Sequence, residues 1–160
     1  MRELMALAER VGTLLKERGE TVSVAESSSG GLISAALLGV AGASAYYLGG
    51  GVIYTPKARA VLMDIPRVSV AGMRSASEPY ALLLARSARE RLAATWGVSE
   101  TGAAGPTGNP YGDAAGHTCI AISGPLDAAL TLETGSPDRI ANMHAFAAAA
   151  LELLLKGLQA

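Results

Sequence analysis

The chain has 160 residues, half of them apolar and 17% charged, which favours one compact globular domain over a disordered chain. A formal net charge of −1 and an aromatic content of 4% argue against nucleic acid or an anionic membrane as a partner. The single cysteine, Cys119, excludes an intramolecular disulfide and a cysteine-rich zinc site, so we expect a cytoplasmic protein.

The first half of the chain predicts two helices, two strands and a third, short helix. Leucines and valines at helical spacing predict an amphipathic helix over 3–18, and no signal-peptide pattern precedes it. An apolar alternating run predicts a strand over 21–25, followed by a polar turn and a helix over about 31–38. A second strand is predicted over 52–54. Thr55 and Pro56 then read as the cap and first residue of a short helix that reaches Met63.

The second half predicts two long helices and three strands. Ser77, Glu78 and Pro79 begin a helix that continues to Trp96, and a strand follows over 98–101. The segment 101–112 is too rich in glycine and proline for regular structure, so we expect a functional loop there. Strands are predicted over 117–123 and 128–133. A final helix begins at Ser136-Pro137-Asp138 and reaches about Leu158.

This alternation predicts an α/β fold: a three-layer α/β/α sandwich with a central mixed, largely buried sheet. No linker or internal repeat interrupts it, so we expect a single domain over 1–160. No stretch reaches the roughly 18 apolar residues that a membrane span requires. A membrane partner is therefore not expected.

A polar turn follows the first strand and carries three hydroxyls and two glycines. Its residues are Ser27, Ser28, Ser29, Gly30 and Gly31. A helix start has unpaired amide N–H groups and the positive end of the helix dipole, so this turn could hold a phosphate. The alternative is structural, with a serine as helix cap and the glycines as a turn.

Three further polar clusters fall near strand ends or helix starts. They are Ser44 with Tyr54, the segment 101–106, and Arg139. Ligands of open α/β sheets gather beyond the carboxyl ends of the strands. We therefore expect all four clusters to converge on one crevice.

In this order, the clusters resemble the CinA C-terminal domain family, whose characterised members are nicotinamide mononucleotide deamidases of the PncC type. The family pattern has Ala-Glu-Ser-Cys-Thr-Gly-Gly, Gly-Ser-Ser, Val-Thr-Tyr with a lysine five positions later, Ser-Glu-Pro, and Thr-Gly-Ile-Ala-Gly-Pro. The corresponding segments here are 25–31, 42–44, 52–54, 77–79 and 101–106. The resemblance covers essentially the whole chain and does not include the nucleotide-pyrophosphatase domain of longer members.

The resemblance implies a serine-mediated amidohydrolase that converts nicotinamide mononucleotide to nicotinic acid mononucleotide and ammonia. It implies Ser44 as the hydrolytic serine and Tyr54 as its active-site partner. The substrate-binding residues that it implies are Ser27, Ser28, Ser29, Gly30, Gly31, Arg59, Thr101, Gly102, Gly105 and Arg139, with Arg139 on the phosphate. The partner would be a small nucleotide that carries a phosphate. No cofactor or metal is expected, and the protein is expected to form a homo-oligomer.

The chain departs from the family pattern at several positions. The family's lysine becomes Arg59, and a guanidinium stays protonated at any working pH, so it cannot act as a base. Lys57 is two positions away, about 200° around a helix, and is expected to point elsewhere. Cys-Thr becomes Ser28-Ser29, and an arginine usually found after Arg139 becomes Met143.

These departures leave two alternatives to the deamidase. One is a catalytically silent nucleotide-binding homologue that lost its base at Arg59. The other is an oligomeric interaction module, suggested by the alanine-rich helical segments 80–95 and 145–155.

The remaining chemically active side chains are read as structural. His117 and His144 have no partners at metal spacing and are predicted to lie on the surface of a strand and of a helix. Cys119 stands in an apolar strand and is predicted to be a small buried hydrophobic residue.

Overall fold

The structure, a computed structural model, describes all 160 residues. The strands are β1 (Val22–Glu26), β2 (Tyr47–Val52), β3 (Trp96–Ala103), β4 (His117–Ser123) and β5 (Ala128–Glu133). The helices are α1 (Arg2–Arg18), α2 (Leu32–Leu38), α3 (Pro56–Met63), α4 (Glu78–Leu92) and α5 (Arg139–Gln159). Two short 3-10 turns cover Ala43–Ala45 and Arg67–Val70.

The five strands form one mixed sheet in the order β2-β1-β3-β4-β5. Strand β1 runs parallel to both β2 and β3, whereas β4 runs antiparallel to β3 and β5. Helices cover both faces of this sheet. The predicted three-layer α/β/α sandwich with a mixed, largely buried sheet is therefore confirmed.

Apolar cores on both faces of the sheet hold the layers together. The largest lies under α1, α2 and α5 and includes Trp96, Phe146 and Leu154. A smaller one lies under α3 and α4 around Ile53, Met63 and Leu84. The apolar stripes of α2, α4 and α5 are thus buried against the sheet, whereas α1 packs on α2 and α5, and α3 packs on α4.

The second strand lies earlier in the chain than the sequence predicted. It covers Tyr47–Val52 and includes three consecutive glycines, so the prediction of 52–54 was wrong. A Cβ on Gly50 would lie 2.7 Å from the carbonyl oxygen of Val24. Close pairing with β1 therefore favours a glycine-rich strand, which propensity alone argues against.

Helix α4 ends at Leu92 rather than at Trp96. Ala93 has a positive φ of 50° and its amide donates to Glu90, which ends the helix. The amide of Trp96 then donates to the carbonyl of Thr21 at 2.9 Å, so Trp96 begins β3. By contrast, the predicted caps of α3 and α4 are confirmed, because the Thr55 and Ser77 hydroxyls each accept a first-turn amide.

The parallel arrangement places many functional candidates at one edge of the sheet. Strands β1, β2 and β3 all end there, and α2 to α5 all begin there. Helix α5 starts at this edge because β5, antiparallel to β4, returns to it. None of the helices is both long and apolar enough to cross a membrane.

Candidate active site at the carboxyl ends of the strands

The polar turn after β1 is closed by a carboxylate of the chain itself. Glu26, the last residue of β1, is fully buried. Its carboxylate accepts from the amides of Gly31, Ile33 and Ser34 at 2.9, 3.1 and 3.0 Å, and from the Ser29 hydroxyl at 2.8 Å. The start of α2 therefore already holds an anion, and that anion is Glu26.

A second buried carboxylate, Glu100 of β3, ties down the other half of the turn. It accepts from the amides of Ser27 and Ser29 at 3.1 and 2.8 Å. It also accepts from the hydroxyls of Ser28 and Thr118 at 2.5 and 2.8 Å. The amides of Ser27, Ser29, Gly30 and Gly31 are thus already bonded within the chain, which leaves the expected phosphate site on Ser27, Ser28, Ser29, Gly30 and Gly31 only the amide of Ser28.

The alternative interpretation of this turn also needs correction. No serine caps α2; the residue at the cap position is Gly31, and no cap side chain bonds there. Instead Glu26 bonds the first-turn amides across five to eight positions. A glutamate at the end of an apolar strand, just before a helix, was the sequence signal for this role.

A polar cleft opens beside the turn, between the glycine-rich loop and the start of α5. Its volume is about 260 Å³. The lining residues are Ser28, Tyr54, Gly102, Ala103, Ala104, Gly105, Thr107, Gly108, Asn109 and Arg139. The structure therefore brings together five of the predicted residues: Ser28, Tyr54, Gly102, Gly105 and Arg139.

Arg139 spans this cleft. Its guanidinium donates to the carbonyl of Gly105 and, at 3.3 Å, to the hydroxyl of Tyr54. No carboxylate lies within ion-pairing distance of it. A guanidinium has five N–H donors in a fixed fork, so Arg139 retains donors for an anion.

The glycine-rich loop presents further free donors to the cleft. The amides of Gly105, Thr107 and Gly108 make no hydrogen bond within the chain. Each of these residues lines the cleft. Together with Arg139, these N–H groups form a concentration of unpaired donors in one place, which is the arrangement that binds phosphate or an oxyanion.

Asn142, one turn into α5, fixes the loop in place. Its side-chain amide donates to the carbonyls of Ala104 and Ser136 at 2.7 and 2.8 Å, and its oxygen accepts from Thr134 at 2.6 Å. The side chain is 1% exposed. Sequence reasoning missed this residue, although its position three residues after Arg139 places it on the same helix face.

Thr101 lies outside the cleft. Its buried hydroxyl accepts from the amide of Ala76 at 3.2 Å and so holds the turn that precedes α4. Successive side chains of a strand point to opposite faces of the sheet, so Thr101 and Glu100 of β3 lie on opposite faces. Thr101 is therefore brought near the site without lining it.

Ser44 lies at the opposite edge of the sheet from Tyr54. It is exposed in the 3-10 turn that precedes β2, whereas Tyr54 follows β2. A six-residue strand spans roughly 20 Å. Within one chain, Ser44 and Tyr54 therefore do not meet, and the expected convergence of all four polar clusters is wrong for Ser44.

Arg59 and Lys57 lie on α3, and neither lines this cleft. Arg59 is buried and faces a separate groove, while Lys57 is exposed. Lys57 is exposed and does not line the cleft, which agrees with the expectation that it points away from the site. No lysine lines the cleft, so the structure contains no replacement there for the family's lysine.

His117 is buried, not a surface residue of its strand. It is 4% exposed, and its ring nitrogens contact the carboxylate of Glu133 at 2.5 Å and the carbonyl of Ala76 at 2.8 Å. Burial alone lowers the pKa of His117. The bonds to Glu133 and Ala76 and the nearby charge of Asp113 outweigh it, so the pKa is raised. The prediction that His117 lies on the surface of its strand was therefore wrong, because β5 places Glu133 directly opposite His117.

Cys119 is buried as predicted, at 2% exposure. Burial raises the pKa of its thiol, so it stays protonated and poorly nucleophilic. No group of three or more histidine, cysteine, aspartate or glutamate side chains is arranged to hold a metal ion.

The structure is thus an α/β protein with a cleft of unpaired donors beyond the carboxyl ends of its parallel strands, the position where open α/β sheets bind their ligands. Comparison with known proteins gives the family. The model of the CinA C-terminal domain matches residues 4–158, so the chain belongs to this family.

Curated relatives agree with this assignment. A CinA-like protein of Chlorobium limicola is 37% identical over 150 residues, which cover 91% of this chain and 35% of the relative. A CinA-like protein of Trichormus variabilis is 35% identical over 156 residues, covering 96% and 38%. The chain thus spans little more than a third of the length of these relatives.

Solved structures share the fold over nearly their full length. A competence/damage inducible protein of Agrobacterium tumefaciens superposes with a TM-score of 0.90 at 31% identity, covering 99% of this chain and 96% of that one. A CinA superfamily protein of Klebsiella pneumoniae gives a TM-score of 0.91 at 24% identity, with 98% coverage of both chains.

Proposed function

We propose that the chain is an amidohydrolase that converts nicotinamide mononucleotide to nicotinic acid mononucleotide and ammonia. Family membership supports this proposal, and so does the cleft between the glycine-rich loop and Arg139. The observation that carries it is the group of free donors there: the Arg139 guanidinium and the amides of Gly105, Thr107 and Gly108. They match a substrate with a phosphate and a reaction with a developing oxyanion.

The proposal assigns the phosphate to Arg139. Its guanidinium is held by Gly105 and Tyr54 and has donors to spare. Such a pre-positioned fork suits the bidentate recognition of phosphate oxygens. The glycine-loop amides are then left for the ribose or for the carboxamide oxygen as it gains negative charge.

The nucleophile that the cleft supports within one chain is Ser28. It lines the cleft, and its hydroxyl donates to the buried carboxylate of Glu100. A serine in hydrogen-bond contact with a base is the arrangement that nucleophilic catalysis requires. The Ser28 oxygen would attack the carboxamide carbon while its proton passes to Glu100 and on to the departing ammonia. Water would then hydrolyse the ester.

Ser44, which the family resemblance assigns as the hydrolytic serine, requires a different arrangement. Because β2 separates it from Tyr54, it could reach this cleft only from a second copy of the chain. A homo-oligomer with shared sites would supply it. The two serines therefore give two distinguishable versions of the same reaction.

Ammonia release from nicotinamide mononucleotide tests the proposal. The native protein is compared with Ser28→Ala and Ser44→Ala. Loss of turnover by at least about 10³-fold in Ser28→Ala alone supports the single-chain site. The same loss in Ser44→Ala alone supports a site completed by a second copy.

The second candidate is a silent nucleotide-binding homologue, and Arg59 in place of the family's lysine favours it. The native protein would then bind nicotinamide mononucleotide without releasing ammonia. Arg59→Lys would restore turnover if the lysine were the only missing part. Absence of both binding and turnover would exclude both candidates.

A further inference from the structure

The tip of the glycine-rich loop, residues 107–113, is bonded to itself through Asn109 and Asp113. The Asn109 side chain donates to the Asp113 carboxylate at 2.8 Å and accepts from the Asp113 amide at 3.1 Å. The Asn109 amide donates to the Asp113 carbonyl at 3.1 Å. A Cβ on Gly108 would lie 2.0 Å from that same carbonyl oxygen. The place of Asp113 therefore fixes the place of the free amides of Thr107 and Gly108.

The ion pairs that join this loop tip to the rest of the chain end on Asp113. The Arg74 guanidinium donates to both of its carboxylate oxygens, at 2.6 and 3.3 Å. Nε2 of His117 lies 3.5 Å from the same carboxylate. Tyr111 adds a 3.3 Å contact with the Ser75 hydroxyl and lies with its ring 5.8 Å from the Arg74 guanidinium. Asp113 is therefore the point at which the loop tip is fastened.

Arg74 and Ala76 belong to the segment that precedes α4, and this segment is anchored to the sheet at Ala76. Ala76 has a φ of 53°, in the left-handed region that is unfavourable for a residue with a Cβ. Its amide donates to the Thr101 hydroxyl at 3.2 Å, and its carbonyl lies 2.8 Å from Nε2 of His117. His117 thus contacts the Asp113 carboxylate directly and the segment of Arg74 through Ala76.

His117 makes these contacts in full only when its ring carries two protons. Its Nδ1 lies 2.5 Å from the Glu133 carboxylate, while its Nε2 faces the carbonyl of Ala76. An ionised carboxylate and a carbonyl oxygen only accept hydrogen bonds, whereas a neutral imidazole has a single N–H to donate. The imidazolium therefore satisfies both acceptors, and it also places a positive charge beside Asp113.

The titratable groups around the ring and its neighbour Cys119 favour the same charged state. They are Asp113 of the loop, Glu133 of β5, Cys119 of β4, Glu78 of α4 and Arg74 before α4. Three of them are carboxylates, and Arg74 is already paired with one of these. Burial raises the pKa of the Cys119 thiol, which therefore adds no charge. The surrounding charge thus favours the imidazolium.

We propose that His117 and Asp113 are positioning residues of the cleft at Arg139: they hold the loop tip so that the amides of Thr107 and Gly108 face the anionic part of the ligand. Neither side chain lines the cleft, so both act through the loop. The role rests on the proposed function, because it concerns ligand binding at the same cleft. Loss of the His117 proton removes one hydrogen bond and the charge beside Asp113, so affinity should fall as pH rises.

An NMR titration of the ligand-free protein between about pH 6 and pH 9 tests the link between His117 and the loop tip. We expect the backbone amide shifts of Thr107 and Gly108 to change in one step with pH in the native protein. The same shifts should stay nearly constant in His117→Gln, which has no proton to lose. This arm needs no ligand and is independent of any activity.

Calorimetry with nicotinamide mononucleotide over the same pH range tests the consequence for binding. The ratio of the native affinity to the His117→Gln affinity should fall at least about threefold as pH rises. The ratio is used because titration of the ligand phosphate affects both proteins equally. His144→Gln is the matched control, since His144 is the other histidine of the chain and its Nδ1 contacts the carbonyl of Ile140 in its own helix. It should keep the native pH profile.

Asp113→Asn tests the other positioning residue, because it keeps the size of the side chain and removes its charge. It should weaken nicotinamide mononucleotide binding about fivefold at pH 7. Asp127→Asn is its control, since it breaks a second surface pair, with Arg86 at 2.9 Å. That variant should stay within about twofold of the native affinity.

An identical pH profile of the loop amides in the native protein and in His117→Gln would overturn the proposal. A constant affinity ratio in a protein that binds nicotinamide mononucleotide would do the same. Loop amides that titrate through His117 in a protein that does not bind this ligand would support the positioning and remove the proposed function instead. If His117→Gln does not fold, native affinity in Asp113→Asn would be the contradicting result.

Discussion

The polar turn over Glu26–Ser34 and the cleft between Gly105 and Arg139 lie side by side at one edge of the sheet. They differ in whether their hydrogen-bond donors are already paired within the chain. In the turn, every amide from Ser27 to Ser34 except that of Ser28 is bonded within the chain, most of them to the buried carboxylates of Glu26 and Glu100. In the cleft, three loop amides and part of the Arg139 guanidinium remain unbonded. The turn therefore supports the fold, with Ser28 alone of its residues lining the cleft, and the cleft is available to a ligand.

The comparison shows that a helix start is an anion site only when its own chain does not supply the anion. Sequence motifs of serine and glycine do not distinguish these cases. The distinguishing feature is a carboxylate at the end of the preceding strand, here Glu26. Unpaired donors, not the presence of polar residues, identify the ligand site.

The largest effect should come from opening the closed turn. Glu26→Ala leaves the buried amide of Ile33 and the half-buried amides of Gly31 and Ser34 without an acceptor. It should lower the free energy of unfolding by about 4 kcal/mol. Glu26→Gln keeps one oxygen and should cost about half as much. Urea unfolding measures both.

The exposed Glu9 provides the control, because Glu9→Gln removes the same charge from the surface of α1. Its effect should stay within about 0.5 kcal/mol. If Glu26→Ala cost no more than Glu9→Gln, the turn would not depend on its own carboxylate.

Releasing the glycine-rich loop should have the next largest effect. Asn142→Leu keeps the side-chain size but removes the bonds to Ala104, Ser136 and Thr134, and should lower the free energy of unfolding by about 2 kcal/mol. Gln159→Leu, an exposed amide at the end of the same helix, should change it by less than about 0.5 kcal/mol. Equal effects in the two variants would mean that Asn142 does not anchor the loop.

Changing the free donors of the cleft should affect binding and not stability. Arg139→Lys keeps the charge but loses the fork, so affinity for nicotinamide mononucleotide should fall about tenfold while urea unfolding stays nearly unchanged. Calorimetry gives the affinity, and Arg10→Lys on the exposed face of α1 is the control. Unchanged affinity in Arg139→Lys would remove this residue from the phosphate site.

The smallest effect is a pH dependence at His117, which faces Glu133, Asp113 and Cys119. Its folded pKa is raised, since the bonds to Glu133 and Ala76 outweigh the effect of burial. The stabilisation is therefore complete below the unfolded pKa, about 6.5, and is lost as pH rises through the folded pKa.

Urea unfolding of the native protein and of His117→Gln between about pH 5 and pH 9 measures this difference. The native free energy of unfolding should fall relative to that of His117→Gln across the upper part of the range. A parallel pair of curves would show that Glu133 and Asp113 do not hold the proton.

Local patterns predicted most of the fold. Helical spacing and caps placed α1, α3 and α5, an apolar alternating run placed β1, and β4 and β5 lie where the sequence predicted strands. Two boundaries depended on tertiary pairing instead. Strand β2 forms on three glycines because β1 lies against them, and α4 stops before Trp96 because that residue pairs with β1. No local propensity contains that information.

The site was predicted less completely than the fold. Order along the chain placed Tyr54, the glycine-rich loop and Arg139 together, because their elements end or begin at one edge. Ser44 was grouped with them as part of a polar cluster near a strand end, although it precedes its strand. Glu100 and Asn142 were missed because their partners lie on other elements and emerge only from the assembled sheet. Glu26 was missed although its partners follow it by three to eight positions in the chain.

An NMR titration with nicotinamide mononucleotide tests the central contrast most directly, by following backbone amide shifts in the native protein. We expect large shifts at Gly105, Thr107 and Gly108, with little change at Gly31, Ile33 and Ser34. Large shifts at Gly31, Ile33 and Ser34, with the loop amides unmoved, would show that the turn after β1 is the ligand site.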